Sequence, residues 1–323
     1  MKKIMIVISA LVCLVFCASL AFAGDKAVDN PVKKDREPWF KPSLSVGYAF
    51  SSDTHIKLDM ESIGIVGLRD TDLKIPGFSG VYLAGELPFA LTDRFKVTLG
   101  GRLAFPGSDK EMDQSYNDNS LLRFWDSNDR YWVTADLLLS YAFVKNLSFL
   151  KDLSGVLGFR WDYHTMSFDN PHNTFAIVTS PLDTVSFRMY TYTPVLGLTS
   201  TFKGFKYGIF GGDVKLGLFG SPIGWGNAKY REEYGQFFVI RFDGDINRVS
   251  FFNILGDFTL LSGKITPGME ASLSFFAQYT KFFTRERLSG VGYAGGALGG
   301  QGDFNFKMRP DLTALGIKAS IAF

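Results

Sequence analysis

The residues of this chain that could do acid–base chemistry together lie in the segment FRWDYHTM. Arg160, Asp162 and His164 are spaced two residues apart, and aromatic residues alternate with them. On a strand this spacing points all three side chains to one face. A carboxylate beside an imidazole can orient it as a general base, which is chemistry that hydrolases use. The other interpretation is structural: the three side chains form a polar network inside a barrel.

A second candidate site is the acidic stretch 106–130. An acidic rim can attract cationic peptides or divalent cations, although a polar surface loop would have the same composition. No EF-hand spacing is present, and we expect no cofactor and no bound metal. Three basic residues, Lys110, Arg123 and Arg130, oppose the acids of this stretch, which are Asp109, Glu111, Asp113, Asp118, Asp126 and Asp129.

The N-terminus indicates that the chain is exported. Residues 1–23 combine two lysines, a short apolar run and a final Ala-Phe-Ala, which is the pattern of a cleaved signal peptide. Both cysteines lie inside this segment, so the processed chain has no thiol for a disulfide. Its removal takes away two lysines and no acid, which lowers the formal charge from +2 to 0. A neutral chain of this kind is not expected to bind nucleic acid.

The rest of the chain alternates apolar and polar residues over many short segments. Leu315, Ile317, Ala319, Ile321 and Phe323 share one face of the last segment, for example. After a polar tail at 24–39, ten strands are predicted in 40–323, at 40–51, 79–90, 95–105, 131–143, 154–168, 185–202, 205–220, 248–262, 266–283 and 310–323.

These strands predict an all-β fold, a ten-stranded antiparallel transmembrane barrel. The predicted loops alternate between short and long, as periplasmic turns and extracellular loops do in outer-membrane barrels. An even number of strands puts both chain ends in the periplasm. The last strand must pair with the first, because closure removes the two open edges. The glycine-rich stretch 292–302 is interpreted as a flexible outer loop.

In such a barrel the apolar face of each strand meets lipid and the charged face fills the bore. Ten strands enclose a narrow bore, which argues against a wide diffusion pore. We therefore expect cross-strand ion pairs among the charged residues that alternate inward, which are Glu86, Lys96, Arg102, Asp136, Asp213, Lys215, Asp257 and Lys318.

Several segments resemble the omptins, a family of outer-membrane endopeptidases. They are TDLKIPGFSGVYLAGELPFAL, KVTLGGRLAFPGSDKEMDQSY, YTPVLGLTSTFKGFKYGIFGGDVKLGLFGS and DLTALGIKASIAF, in that order along the chain. The resemblance implies the same barrel, an outer-membrane location and contact with outer-membrane lipid, including lipopolysaccharide. It also implies recognition of the C-terminal aromatic residue by the barrel-assembly machinery.

The catalytic motifs of the omptins are only partly present. Omptins carry an Asp-x-Asp pair that faces an Asp-x-His pair across a bound water. Here Asp113 matches the first motif, but Ser115 follows it, and NAKY places Asn227 and Lys229 where the second motif is expected. A lysine with a pKa near about 10.4 is protonated at neutral pH and cannot deprotonate water.

The sequence therefore predicts a non-proteolytic omptin-like barrel whose surface loops serve binding or envelope integrity. One alternative is an endopeptidase or hydrolase that uses Asp113, or Asp162 with His164. A second alternative is a narrow channel.

Overall fold

The computed structural model describes residues 39–61, 70–77, 79–106, 112–116, 123–173, 184–234, 238–294 and 297–323. The predicted signal peptide and almost all of the predicted polar tail lie outside these residues. The described residues contain no helix long and apolar enough to cross a membrane.

Every regular element of the described chain is a β-strand. The strands are β1 (Ser43–Phe50), β2 (Thr54–Glu61), β3 (Asp70–Ile75), β4 (Ser79–Ala90), β5 (Phe95–Pro106), β6 (Met112–Tyr116), β7 (Arg123–Lys145), β8 (Leu150–Asn173), β9 (Thr184–Phe202), β10 (Lys206–Tyr207), β11 (Phe210–Gly211), β12 (Val214–Ser221), β13 (Trp225–Tyr234), β14 (Phe238–Ile246), β15 (Val249–Thr266), β16 (Met269–Ala294), β17 (Ala297–Met308) and β18 (Asp311–Ala322).

At the end of the barrel with short turns, ten strands close into one antiparallel ring. The order around the ring is β1, β4, β5, β7, β8, β9, β12, β15, β16 and β18, and β18 pairs back onto β1. This ring is called the base tier. The all-β fold and the closed antiparallel barrel predicted from the sequence are thus confirmed.

The seam between β1 and β18 depends on two glycines. Gly47 pairs with Gly316, and a Cβ at either position would overlap backbone atoms of the opposite strand. The ring of Phe276 lies against this seam, and inside the bore its centroid is 5.5 Å from that of the tilted ring of Tyr82. Glycine at both positions therefore lets the first and last strands pair here without steric overlap.

A second ring continues the barrel beyond the first. It runs through β2, β3, β6, β7, β8, β9, β13, β14, β16 and β17, and β17 pairs with β2. This ring is called the upper tier. The segments 52–78, 106–130, 221–247 and 284–309, predicted as long loops, are therefore largely paired strands in the parts that the structure describes. The glycine-rich stretch 292–302, predicted as a flexible loop, likewise pairs within β16 and β17 wherever it is described.

The strand lengths explain why two tiers are possible. β16 has 26 residues. At about 3.3 Å per residue and a tilt of about 40° it rises about 65 Å, whereas the hydrocarbon core of a bilayer is about 30 Å thick. A strand needs only about 10 residues to cross that core, so the upper tier stands outside it.

The base tier is apolar outside and polar inside. On β1, Val46 is 52% exposed, whereas its neighbours Ser43 and Ser45 are buried. A continuous apolar belt of this kind is unfavourable in water and favourable in lipid. The same pattern recurs around the ring, with exposed side chains at Leu44, Tyr48, Leu137, Leu139, Tyr141, Leu196, Leu198, Leu216, Leu218, Ile254, Phe275, Leu315 and Ile317.

The upper tier reverses this pattern. Its buried side chains are mostly apolar and include Ile56, Leu73, Ile75, Val185, Phe187, Met189, Tyr230, Ile240, Phe242, Leu288, Phe306 and Met308, with Glu232 as a buried carboxylate. Its exposed positions are His55, Lys57, Lys74, Lys229, Arg231, Arg241, Asp243, Arg285, Arg287, Asn305 and Lys307. The prediction that charges fill the bore is therefore confirmed for the base tier, to which it applied. The upper tier, whose segments were predicted as loops, is packed like a water-soluble domain instead.

The short turns are set by residues with special backbone preferences. Pro267 and Gly268 connect β15 to β16, and Gly268 has φ = 93°, a conformation that favours glycine. This turn lies just after the boundary predicted between the strands at 248–262 and 266–283. Residues 203–213, predicted to begin a strand after a two-residue turn, instead contain the small hairpin β10–β11, with Gly208 at φ = 60°.

Candidate functional site in the bore

The polar interior of the base tier is organised around Asp136. Its carboxylate pairs with the guanidinium of Arg102 on one side, and it accepts a hydrogen bond of 2.7 Å from Nε of Arg160 on the other. Asp136 comes from β7, Arg102 from β5 and Arg160 from β8, which are neighbours in the ring. Removing one partner of such a buried set leaves an uncompensated charge, so the cluster fixes these three strands against one another.

Nearer the short turns lies a second ionic cluster. Nζ of Lys318 donates to Glu86 at 2.7 Å and to Asp257 at 3.2 Å. Close to the rim, Lys151 pairs with Asp213 at 2.8 Å. Together with Arg102–Asp136, these contacts confirm the predicted cross-strand ion pairs at those residues.

Asp162 lies one layer above Arg160 and is fully buried. Its Oδ1 accepts hydrogen bonds from Nε1 of Trp132 at 3.1 Å and from Oγ1 of Thr134 at 2.7 Å, whereas its Oδ2 has no protein partner. Both donors lie on β7, next to β8 in the ring. Asp162 is therefore held by structural donors of the neighbouring strand.

His164 lies above Asp162 among aromatic rings. Its imidazole is 4.0 Å from the ring of Trp132 and 5.6 Å from that of Phe282, measured between centroids. Its Nε2 is buried and makes no hydrogen bond to protein. A small cavity of about 20 Å³, room for about one water, adjoins it and is also lined by Arg130 and Asp311.

The structure thus places Arg160, Asp162 and His164 on one inward face, as the spacing predicts. It does not join them into one network: Arg160 pairs with Asp136, Asp162 with Trp132 and Thr134, and His164 packs on aromatic rings. No hydrogen bond links Asp162 to His164, so the orienting contact of a general base is not formed. The arrangement is closer to the structural interpretation than to the catalytic one.

Asp113 lies on β6, where it is paired in register with Lys74 of β3 and Phe124 of β7. Its side chain is outside the described part of the structure. The same holds for the other predicted acids of 106–130, because residues 107–111 and 117–122 are not described, and neither are the side chains of Asp126 and Asp129. The predicted acidic site therefore remains a prediction.

Asn227 and Lys229 lie on the outer surface of the upper tier. Nδ2 of Asn227 donates to Asp243 at 3.0 Å, and Nζ of Lys229 donates to the same carboxylate at 2.6 Å. The hydrogen bond from Lys229 is the largest influence that lowers the pKa of Asp243, and it raises the pKa of Lys229 in turn. The inward residues of β13 are Ala228, Tyr230 and Glu232 instead, so matching Asn227 and Lys229 to an inward-facing catalytic pair is wrong in register.

The sequence did not indicate the aromatic plug that fills the bore around and above His164. Its rings touch in series from Phe251 through Phe282 to Trp132, and again from Phe187 through Phe306 and Phe242 to Tyr230, with centroid distances of 5.2 to 6.0 Å. The alternation in THIKLDM and FVIRFDGDI carries part of the signal, because apolar or aromatic residues recur at every second position from Ile56 and from Phe238. AKYREEY follows the same pattern except at Glu232.

Below the plug, the base tier encloses a polar cavity of about 290 Å³. Its lining combines serine and threonine hydroxyls with lysines and carboxylates from strands all around the ring. Residues near the short turns, such as Lys151 and Asp213, are about 40% exposed (42% and 38%), so the cavity communicates with solvent at this end. Among the described residues, no group of three or more His, Cys, Asp or Glu could hold a metal ion.

Comparison with solved structures places this fold among outer-membrane barrels. The outer-membrane protease OmpT from Escherichia coli superposes with a TM-score of 0.60 at 13% identity, over 86% of this chain and 95% of that one. The outer-membrane protein OprG from Pseudomonas aeruginosa matches with a TM-score of only 0.30 at 10% identity, over 88% and 97%. The sequence matches no protein-family model and no curated protein.

The class of protein follows from this comparison and from the two tiers. The chain has an outer-membrane β-barrel fold of the omptin type, as the quoted segments indicated. At this identity the likeness establishes the fold alone.

Proposed function

We propose that this protein is a non-proteolytic outer-membrane barrel whose upper tier presents a binding surface above the membrane. The observation that carries the proposal is the filled upper bore. Phe187, Phe242 and Phe306 are buried where a cleft would be needed to admit a peptide from outside.

The test is peptide cleavage by the refolded protein, with the omptin protease OmpT from Escherichia coli as positive control. We expect no cleavage of a mixed peptide library above the background of a mock refolding. Cleavage that disappears in Asp162→Asn or His164→Ala, while the barrel still resists unfolding in cold SDS, would overturn the proposal and establish a hydrolase. The same measurement on Asp113→Asn tests the remaining predicted catalytic residue.

The channel alternative makes a different prediction. An ion path would have to pass the aromatic plug, whose rings are in contact. We expect the protein to show no single-channel conductance in planar bilayers. Steps of reproducible conductance in the unaltered protein would replace our proposal with a channel function.

We propose outer-membrane lipid as a partner, on the basis of the cations at the upper edge of the apolar belt. Nζ of Lys281 and Cζ of Arg309 lie 5.8 Å and 6.0 Å from the ring of Phe283, where the apolar belt gives way to charge. Cations placed at this level can contact lipid phosphates, including those of lipopolysaccharide. The barrel-assembly machinery and a cationic peptide at 106–130 are the other partners we propose. Binding of a labelled lysine-rich peptide, with Asp109→Asn and Glu111→Gln as variants, tests the last of these.

A further inference from the structure

We infer that the polar cavity of the base tier is a binding pocket for a small phosphate-bearing anion from the periplasmic side. The pocket is separate from the upper tier and its proposed surface. The turns at this end are short, which is the periplasmic arrangement in outer-membrane barrels. A ligand would therefore enter between the turns that carry Lys151 and Asp213.

The cavity is closed at its far end. The Arg102–Asp136–Arg160 cluster lies there, and Arg160 extends from it toward β15, with its Cζ 4.5 Å from the ring centroid of Phe251. At about 290 Å³ the cavity is close to the lower limit of about 300 Å³ for small-molecule sites. It is therefore a blind pocket of ligand size rather than a section of a channel.

The charges of the lining favour an anion. Four acidic side chains, Glu86, Asp152, Asp213 and Asp257, face the cavity together with six basic ones, an excess of two positive charges. The basic residues are Lys41, Lys96, Arg102, Lys151, Lys215 and Lys318. Low-dielectric walls concentrate the field of such an excess within the cavity.

Two of these lysines are available to a ligand. Lys318 is engaged with Glu86 and Asp257, and Lys151 with Asp213. In contrast, Nζ of Lys41 and Nζ of Lys215 make no hydrogen bond or ion pair to any described residue. Burial and the nearby cation of Lys151 lower the pKa of Lys41, a cost that a bound anion would relieve.

The remaining lining matches a hydrophilic ligand. Serine and threonine hydroxyls are as numerous in it as charged groups, for example at Ser43, Thr98, Ser154 and Thr201. Hydroxyls can donate to phosphate oxygens and can both donate to and accept from the hydroxyls of a sugar. Phosphate could thus arrive as the free ion or as part of a sugar phosphate, and the two share the group that the lysines would bind.

The test is isothermal titration of the refolded full-length protein with inorganic phosphate, glucose 1-phosphate and glucose, at constant ionic strength. We expect saturable binding of one or both phosphates and none of glucose. Tighter binding of glucose 1-phosphate than of phosphate would assign the hydroxyl lining to the sugar. Equal affinities would assign the site to the phosphate group alone.

The double variant Lys41→Gln/Lys215→Gln should weaken phosphate binding at least about tenfold, because charge-assisted hydrogen bonds dominate such recognition. The matched control, Lys229→Gln/Lys307→Gln, removes the same charge from the outer surface of the upper tier and should leave the affinity unchanged. Resistance of each variant to unfolding in cold SDS checks that the barrel is intact. Absence of saturable binding to the unaltered protein, or equal weakening in both double variants, would overturn the inference.

Discussion

The two tiers of this barrel are built from the same kind of strand but have opposite polarity. In the base tier Leu137 faces out and Asp136 faces in, whereas in the upper tier Asn305 faces out and Phe306 faces in. The hydrogen-bonded ladder continues through both, as in β7, β8, β9 and β16. The surroundings therefore decide which face is apolar, and they are lipid for the base tier and water for the upper tier. The backbone hydrogen bonds between strands form in either case.

The largest losses of stability are expected from substitutions of buried residues inside either tier. Asp136→Ala removes the carboxylate that Arg102 and Arg160 share inside the base tier. The free energy of unfolding should fall by about 3–5 kcal/mol, because two buried cations are left without a counter-charge. Urea unfolding in lipid vesicles, followed by tryptophan fluorescence, measures the change.

The control for that variant is Asp72→Ala. Asp72 accepts from His55 at 2.9 Å and lies 3.5 Å from Nζ of Lys57 on the outside of the upper tier. Its loss should cost less than about 1 kcal/mol, since exposed ion pairs contribute little. Equal costs at Asp136 and Asp72 would contradict the assignment of inside and outside in the two tiers.

Phe306→Ala probes the dry interior of the upper tier. Phe306 is fully buried and contacts both Phe187 and Phe242. Removing a buried aromatic ring should lower the free energy of unfolding by about 3–5 kcal/mol. The adjacent Asn305→Ala, on the outer face, should change it by no more than about 0.5 kcal/mol. A neutral Phe306→Ala would mean that the upper bore is open to water.

Arginine on the outer face should distinguish lipid from water directly. Leu137→Arg places a charge in the apolar belt and should cost about 2–4 kcal/mol if the site is near the bilayer midplane. Asn305→Arg introduces the same side chain outside the upper tier and should be close to neutral. Similar effects at both positions in vesicles would contradict a membrane boundary between the tiers.

His164→Phe tests the junction of the tiers and should have a smaller effect. The imidazole lies between Trp132 and Phe282, and its Nε2 has no protein partner. A phenyl ring keeps the packing and removes an unsatisfied polar atom. Stability should therefore stay within about 1 kcal/mol of the unaltered protein. A loss of several kcal/mol would show that a buried water or proton on His164 is structurally required.

The smallest effect is expected at the surface pair of Lys229 and Asp243. The hydrogen bond lowers the pKa of Asp243, so its contribution to stability is present at neutral pH and is lost as the pH falls through the folded-state pKa. Lys229→Gln should raise the pKa of Asp243 back toward its ordinary value of 3.8. Carboxyl NMR shifts against pH measure this, and an unchanged pKa would contradict the contact.

Sequence reasoning predicted the strands of the base tier because lipid-facing strands alternate apolar and polar residues in a pattern that is easy to recognise. The predicted strands at 79–90 and 95–105 coincide with β4 and β5 almost residue for residue, since turn residues bound them and apolar side chains alternate along them. It missed β13 and β14 because their outward residues, such as Lys229, Arg231 and Asp243, have the composition of a surface loop. Apolar residues alternate with polar ones there too, but the polar residues are charged, and this pattern did not indicate a membrane-spanning strand.

At the candidate site, the spacing of Arg160, Asp162 and His164 correctly predicted a shared inward face. Their partners could not be predicted, because Trp132, Thr134, Asp136 and Phe282 reach them from other strands whose register is set by the closed ring. For the same reason, the outward position of Asn227 and Lys229 was beyond sequence reasoning.

The sequence by itself determined that this chain forms an antiparallel barrel, because period-two alternation and turn chemistry are local properties. Only the tertiary structure decided that the barrel has two tiers, that aromatic rings fill the upper one, and that a charged pocket lies in the base. Those features depend on which residues from distant strands meet inside the ring, and strand pairing alone fixes that register.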